Sequence, residues 1–590
     1  MKVKGLTLLI IPSLLLSACT FFGVVKSNEK ELRVIDLDRM GLDDDLTVGE
    51  VTSVKARFKK GEDMLPYLTL SQYASIFDSH LEEGFKSEIQ NTRYRTTWTL
   101  SNSEAYYFYA EINFNKKIIT YSGSVDSCYN ADDYPLDTYA LNYGLKSEYD
   151  GKFLGDTSFV AVDYSSYGFE TFVNNGECYF PLGLLDITFS GTTSITVSYN
   201  YKHIFSTYNV DFYSERTFRD GDDQIWTFDS QMNNCKTASS LPNYLRDYNA
   251  NLFLYLMDNF YGLKKEKGID SAKAFYKRNG IYSELFSYSS LKRAQAYADA
   301  LAILDDNHTV LYNANTTWGE EDFIHRRYGE GIASRNATRD ALSQYRPAYY
   351  SAYSTSHGKQ YTPGVDVIYS DDGQTAMFMF DSFTFASYSE FRREDAYLYD
   401  AYLGVTRALK QIKSVGTVQN VILDISTNGG GTIGVMMKLL SLLSKDNSSS
   451  IYYYEDTSSQ LGIATSKVDS NDDGEYDSRD CFGNIFDFYI LTSDCSFSCG
   501  NAFPCYAQKE GLAKIIGQKS GGGECAVAIH YLPNSQYVYH SSNLHLGYYD
   551  EATDTFTGFE KGATPDIVVP VNEDFYNIEV LNQAILNHAN

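Results

Sequence analysis

The chain has 590 residues, 43% of them hydrophobic, and a formal net charge of −27. Its length exceeds a single hydrophobic core and predicts two or three domains. Its acidity excludes nucleic acid and an anionic membrane surface as partners of the folded part.

The first residues, MKVKGLTLLIIPSLLLSACT, place Lys2 and Lys4 ahead of an apolar run from Leu6 to Leu16 that ends in small residues before Cys19. This is the pattern of a secretory signal, and the run is short for a membrane span. Leu16, Ser17, Ala18 and Cys19 resemble the lipobox of bacterial lipoproteins. The resemblance implies a lipid on Cys19 and a location at the extracytoplasmic face of a bacterial membrane.

Residues 20–235 alternate strand-like runs with Gly, Asn and Asp turns, which predicts a β-rich region. A faint echo between YLTLSQYASIF (67–77) and YFPLGLLDITF (179–189) raises the expectation of two similar halves. The pattern changes near 236. Apolar residues then recur at three and four through 241–268 and again through 289–306, predicting amphipathic helices. DDNHTVLY follows, so His308 falls at a helix-to-strand junction. Residues 307–590 read as an α/β domain. In it NVILDI (420–425) is a strand, STNGGGT a turn and IGVMMKLLSLLS a helix. DFYILTS (487–493) is a second strand, leading through DCSFSCG into a second helix.

Besides Cys19 there are eight cysteines, at 128, 178, 235, 481, 495, 499, 505 and 525. They lack CxxC spacing, so no metal–thiolate site is predicted and no disulfide pairing can be assigned.

The segment SDCSFSCGNAF (493–503) gathers Ser493, Ser496 and Ser498. Only Ser498 sits where the turn becomes a helix, whose first N–H groups favour a developing oxyanion. The glycines at 429–431 open a second turn to close approach. Without a following GK[ST] they do not form a phosphate loop, and a second oxyanion donor is the better use for them. In DSNDDGEYDSRD, Asp469, Asn471, Asp473, Gly474, Glu475, Asp477 and Asp480 fall at positions 1, 3, 5, 6, 7, 9 and 12 of a calcium loop. A structural Ca²⁺ is the expectation there, against a solvated acidic loop.

These motifs resemble the C-terminal processing (tail-specific) serine peptidases and the tricorn core protease. DISTNGGG is similar to the family's D-x-R-x-N-x-G-G, with Ser426 where arginine is usual. SFSCGNAF resembles S-x-S-x-x-E, with Asn501 in place of glutamate. GLAKIIG (511–517) keeps the downstream spacing and makes Ser498 the equivalent serine. In the Ser-Lys branch the lysine falls on Gly523 and the assisting aspartate on Lys509, with Lys519 four positions early, so no Ser-Lys dyad is expected. The tricorn-like branch instead has D-x-H-T, which DDNHT resembles at His308.

The resemblance implies a ClpP/crotonase-like spiral sheet and a serine endopeptidase acting on peptides or proteins without a cofactor. Ser498 would be the nucleophile and His308 the base, with the Cys499 and Gly430 N–H groups as oxyanion donors. Glu560 would orient His308, although it stands one residue closer to Gly562 than the family pattern. About 60 residues separate Thr309 from QTAMFMFDSF, fewer than a PDZ insertion needs. The rival expectation is a binding lipoprotein that keeps the fold without the chemistry.

Overall fold

A computed structural model describes residues 33–40, 52–77, 84–102, 106–123, 147–154, 159–189, 195–199, 204–208, 217–220, 224–227, 241–312, 329–386, 388–456, 459–533 and 536–589. Cys19, Cys128 and Cys235 lie outside them.

The first half is β-rich. A seven-stranded sheet runs from Phe172–Asn174 to Ile195–Tyr199, and a five-stranded sheet holds Arg95–Ser101 and Tyr106–Asn113. The sequence echo has a structural counterpart. Tyr67–Leu68 leads into the helix Leu70–Phe77, and Glu177–Pro181 leads into the helix Leu182–Phe189. The two strands pair antiparallel through Leu68 with Phe180 and Tyr67 with Pro181. Both helices then pack on fully buried Trp98, whose ring lies 6.0 Å from that of Phe77 and 5.8 Å from that of Phe189.

The change of composition near 236 is not a break in packing. The same hydrophobic cluster contains Trp98, Leu252 and Tyr297 together with Leu532 and Val538. Ser147–Leu154 also pairs along its whole length with Gln460–Val468.

A six-stranded sheet builds the second half. Thr375–Met379, Asn420–Asp424, Asp487–Thr492, Ala513–Gly517 and Ile567–Val568 are parallel neighbours in that order, with Ile368–Tyr369 antiparallel at the edge. Asn420–Asp424 is buried along its whole length because both faces are covered, as parallel sheets require. Val421 and Leu423 face Val405, Leu440 and Phe503 on one side. Ile422, one residue out of phase, joins Leu342, Tyr350 and Leu581 on the other. This is the expected α/β domain with a helical lead-in, Asn243–Asn259 to Ser290–Ala302. The helix Glu330–His357 was not expected from the sequence, and it occupies much of the interval after Thr309.

Candidate active site

The three serines of the turn, within six residues, have different roles. Ser493 Oγ donates to the Ser426 carbonyl, and Ser496 Oγ donates to the Ile425 carbonyl at 2.8 Å. Both hydroxyls tie the serine turn to the glycine turn, and the Phe497 N–H adds a third tie to the Asn428 carbonyl at 3.0 Å. Ser498 is different. It caps the helix Cys499–Lys509 with φ 58° and ψ −126°, and its side chain makes no capping bond. A non-glycine residue at positive φ outside the small left-handed region is strained. Ser498 itself is half-buried, between buried Phe497 and Cys499.

The turn 303–309 delivers His308. Asp306, itself buried, accepts from the His308 N–H at 3.0 Å, from Thr309 Oγ1 at 2.6 Å and from Ser541 Oγ at 2.8 Å. Asp305 accepts from the Gly331 and Ile332 N–H groups, at 2.7 and 2.9 Å, and so holds the start of the helix Glu330–His357. The His308 ring lies 4.7 Å from the ring of Phe497, the neighbour of Ser498. Among the described residues, His308 Nδ1 is buried without a hydrogen-bond partner. Burial holds the imidazole pKa below its ordinary value, Asp306 opposes that and the Arg335 charge reinforces it.

Glu560 reaches the same place by a turn. The one-residue slip would misface a carboxylate on a strand, but the strand Thr555–Gly558 ends before it. Glu560 Oε2 accepts from the Gly523 and Glu524 N–H groups at 2.9 and 3.1 Å. The Gly523 Cα in turn backs onto the Phe497 ring. Burial pushes the Glu560 carboxyl up to about 7, the Glu524 N–H bond opposes this, and the charges of Asp306 and Glu524 add to it. Among the described residues no hydrogen bond joins Ser498, His308 and Glu560. Phe497 instead lies next to Ser498 in sequence, carries the His308 ring, and backs onto Gly523, whose N–H holds Glu560.

The two expected oxyanion donors differ. The Cys499 N–H opens the serine helix and has no acceptor among the described residues. The Gly430 N–H already donates to Asn428 Oδ1 at 2.9 Å, because the glycine turn closes on its own asparagine. Gly430 remains pressed on the nucleophile, since a Cβ there would meet Ser498 Oγ at 3.0 Å.

The two substituted positions, Asn501 and Ser426, have local explanations. Asn501 Nδ2 donates to the Phe559 carbonyl at 3.0 Å, so the helix of Ser498 holds the loop of Glu560. Where Ser426 replaces arginine, Arg346 arrives from the helix Glu330–His357. It bonds Asp381 Oδ2 at 2.8 Å and Thr427 Oγ1, and its Nε lies 4.0 Å from buried Asp424.

Sequence reasoning missed Arg346 and also Arg335. Arg335 donates to the Asp494 and Gly521 carbonyls at 2.9 and 2.8 Å and covers the Phe497 ring at 4.6 Å. No spacing signal marks either residue, because Arg346 meets its partners 35 to 81 positions away and Arg335 meets its carbonyl partners 159 and 186 positions away. At the Ser-Lys positions, Gly523 lies under Phe497 and Lys509 Nζ covers Tyr548 at 4.8 Å.

In the acidic loop, Asp469 accepts from the Asp473 and Gly474 N–H groups, and fully buried Asp480 accepts from those of Asn471 and Asp477. Asn471 Oδ1 accepts from the Asp473 N–H at 2.9 Å and Asp473 Oδ1 from the Glu475 N–H at 2.9 Å. Arg479 bridges Asp473 and Asp477.

Residues 385–569 match the sequence model of Peptidase family S41. Together with the fold, this makes the C-terminal α/β region a serine-type peptidase domain. Among solved structures, the chain is similar to a candidate peptidase from Parabacteroides merdae ATCC 43184 at 17% identity and TM-score 0.41, covering 59% of this chain and 97% of that one. It is also similar to mature CPAF complexed with lactacystin, at 11% identity and TM-score 0.37, covering 58% and 99%. A lipoprotein from Streptococcus agalactiae matches at 12% identity and TM-score 0.32, covering 58% and 98%. No curated protein sequence matches the chain.

Proposed function

We propose that this protein is a lipid-anchored serine endopeptidase working at the extracytoplasmic face of a bacterial membrane on peptide or protein substrates. The observation that carries the reading is Ser498. Among the described residues it is the one serine of its turn whose hydroxyl has no hydrogen-bond partner, held in a strained elbow at a helix N-terminus, with His308 packed against its neighbour. Ser498 Oγ attacks the peptide carbonyl as His308 takes its proton, and His308 returns that proton to the leaving amine. Water then cleaves the acyl-enzyme by the same route. The Cys499 N–H stabilises the oxyanion, and the Gly430 N–H joins it as the oxyanion competes with Asn428 Oδ1. Glu560 orients the imidazole once substrate closes the site, since catalytic hydrogen bonds often tighten only in the complex. No cofactor enters this chemistry.

Cys19 carries the anchor in this proposal, with the peptidase held close to the membrane. Selection of substrate falls to surfaces other than an inserted PDZ domain. We also propose a Ca²⁺ in the Asp469–Asp480 loop as a structural ion remote from the chemistry.

The test is labelling with a fluorophosphonate probe. Wild type should label, and Ser498→Ala and His308→Ala should not. A second reading, a binding lipoprotein without catalysis, draws on the open contacts among Ser498, His308 and Glu560. A folded wild type that stays unlabelled with and without Ca²⁺ would select it.

A further inference from the structure

Behind the loop of Glu560 lies a second group of reactive side chains that the serine mechanism does not use. Glu524, Cys525 and His545 are 4%, 2% and 6% exposed, and one ligand atom from each lies within 4.8 Å of the other two. His545 Nδ1 is 2.8 Å from Glu524 Oε1 and 3.5 Å from Cys525 Sγ. Cys525 and His545 are directly opposed in the antiparallel pair of Cys525–Leu532 with Gln536–Asp550, and the register shifts immediately beyond them. On the far side of the ring, His545 Nε2 is 3.2 Å from Asp456 Oδ2, whose side chain is 47% exposed.

We infer that this cluster is a structural zinc site, with Glu524 Oε1, Cys525 Sγ and His545 Nδ1 as ligands and Asp456 as the outer carboxylate that orients the histidine. Thiolate, imidazole and carboxylate together are a zinc donor set. Tetrahedral zinc, with bonds of about 2.3 Å to sulfur and about 2.0 Å to nitrogen, holds those two atoms about 3.5 Å apart. That is the spacing found. The nitrogen–oxygen pair has to open by about 0.5 Å to admit the ion. A carboxylate on the far nitrogen of a ligating histidine is the usual means of fixing its tautomer.

Two other readings of the cluster fit less well. As a Cys-His-Asp hydrolytic triad it would need a substrate at Cys525. Yet backbone closes over the sulfur: a Cβ at Gly262 would lie 3.0 Å from Sγ and 1.9 Å from the Ser542 carbonyl oxygen. An ion passes where a peptide cannot. As a bare ion pair, a charged imidazole between Glu524 and Asp456 has one proton on Nδ1 to share between Glu524 at 2.8 Å and the Cys525 sulfur at 3.5 Å, so the thiol is left with the weaker half of a divided bond.

Zinc binding sends the Cys525 thiol proton and any proton on His545 Nδ1 to solvent, and Glu524 binds as a carboxylate. The site is structural because of what Glu524 also holds. Its Oε2 accepts the Glu560 N–H at 2.6 Å while its own N–H bonds Glu560 Oε2. The metal would therefore stiffen the loop that presents Glu560. Spacing hid the site because two ligands are adjacent and the third lies twenty residues away on the partner strand.

The experiment is to equilibrate the purified full-length protein with equimolar Co²⁺, desalt it, and record bound cobalt and the absorption spectrum. The expected result is one equivalent retained, with a thiolate-to-cobalt charge-transfer band that Zn²⁺ abolishes and Cys525→Ser lacks. Asp456→Asn should weaken binding roughly tenfold. Failure of wild type to retain cobalt, or an unchanged band in Cys525→Ser, overturns the proposal and leaves the ion pair. Should Cys525→Ser fail to fold, Asp456→Asn at the exposed rim decides, and unchanged affinity overturns the proposal. The readout is metal alone, so it stands or falls apart from the peptidase reading.

Discussion

The Cα of Gly430 stands against the side chain of Ser498: a methyl group on that glycine would lie 2.6 Å from Ser498 Cβ and 3.0 Å from its Oγ. At φ 112° the position also disfavours any L side chain. Gly430→Ala should therefore displace both the nucleophile and one oxyanion donor, lowering the rate of fluorophosphonate labelling by roughly 100-fold or more. Gly429→Ala, two residues from Thr427 in the same turn, meets nothing within 4 Å and should label like wild type. Equal rates in the two variants would remove Gly430 from the site.

The serines of the turn should separate chemistry from stability. Ser496→Ala removes a buried hydroxyl that donates to the Ile425 carbonyl and accepts from the Ser493 N–H. It should cost about 1–3 kcal/mol in urea unfolding and leave labelling in place. Ser498→Gly should do the reverse. It ends labelling but relieves the positive φ, making it more stable than Ser498→Ala by roughly 1–3 kcal/mol. A Ser498→Gly protein that unfolds no later than Ser498→Ala would show that the elbow stores no strain.

The strand–turn–helix units around residues 420–443 and 487–509 were legible in the sequence because their signals are local. Each has a short apolar run, small residues and then helical periodicity, and Ser498 and His308 follow from position within such units. What was not legible depends on distant contacts. Arg346 stands opposite Asp424 across 78 positions, so the missing arginine at Ser426 read as a defect when its charge had only moved to another element. Glu560 read as out of phase on the premise of a strand, whereas a turn bound by Gly523 and Glu524 sets its direction. Asn428 was read as part of a motif, and its capture of the Gly430 N–H needs coordinates to see.

Arg346 gives a stability prediction. Asp424 is fully buried, and Arg346 is the cation whose charge favours its ionised form against burial. Arg346→Met should destabilise the fold by about 3 kcal/mol, because it leaves a buried carboxylate without its counter-charge. Adding Asp424→Asn should recover part of that loss in the same unfolding measurement. Additive losses in the double variant would mean that the two side chains act separately.

The acidic loop tests calcium through Arg479. That guanidinium neutralises Asp473 and Asp477, the residues a cation would claim at positions 5 and 9. Ca²⁺ should raise the melting temperature of wild type, and Arg479→Ala should bind it more tightly because no side chain competes. Asp480→Ala should abolish the shift. Melting curves that ignore Ca²⁺ in both wild type and Arg479→Ala would reduce the loop to a hydrogen-bonded turn.

The pH dependence of labelling should report His308 and its neighbour Arg335. Neutral imidazole is the active base, so the rate rises with pH through the His308 pKa. Burial and the Arg335 charge lower that pKa while Asp306 raises it, which places the acid limb below the ordinary value of about 6.5. Arg335→Gln removes a cation that disfavours imidazolium, so the limb should move to higher pH, whereas Arg335→Lys should keep it in place. Both variants lose guanidinium bonds to the Asp494 and Gly521 carbonyls, so a fall in maximal rate alone would not separate charge from positioning. The displacement of the limb does. The same shift has a stability signature. A histidine with a depressed folded pKa binds fewer protons folded than unfolded, so its contribution is complete above about pH 6.5 and is lost as the pH falls below that. An acid limb that stays fixed in folded Arg335→Gln would show that its charge does not act on His308.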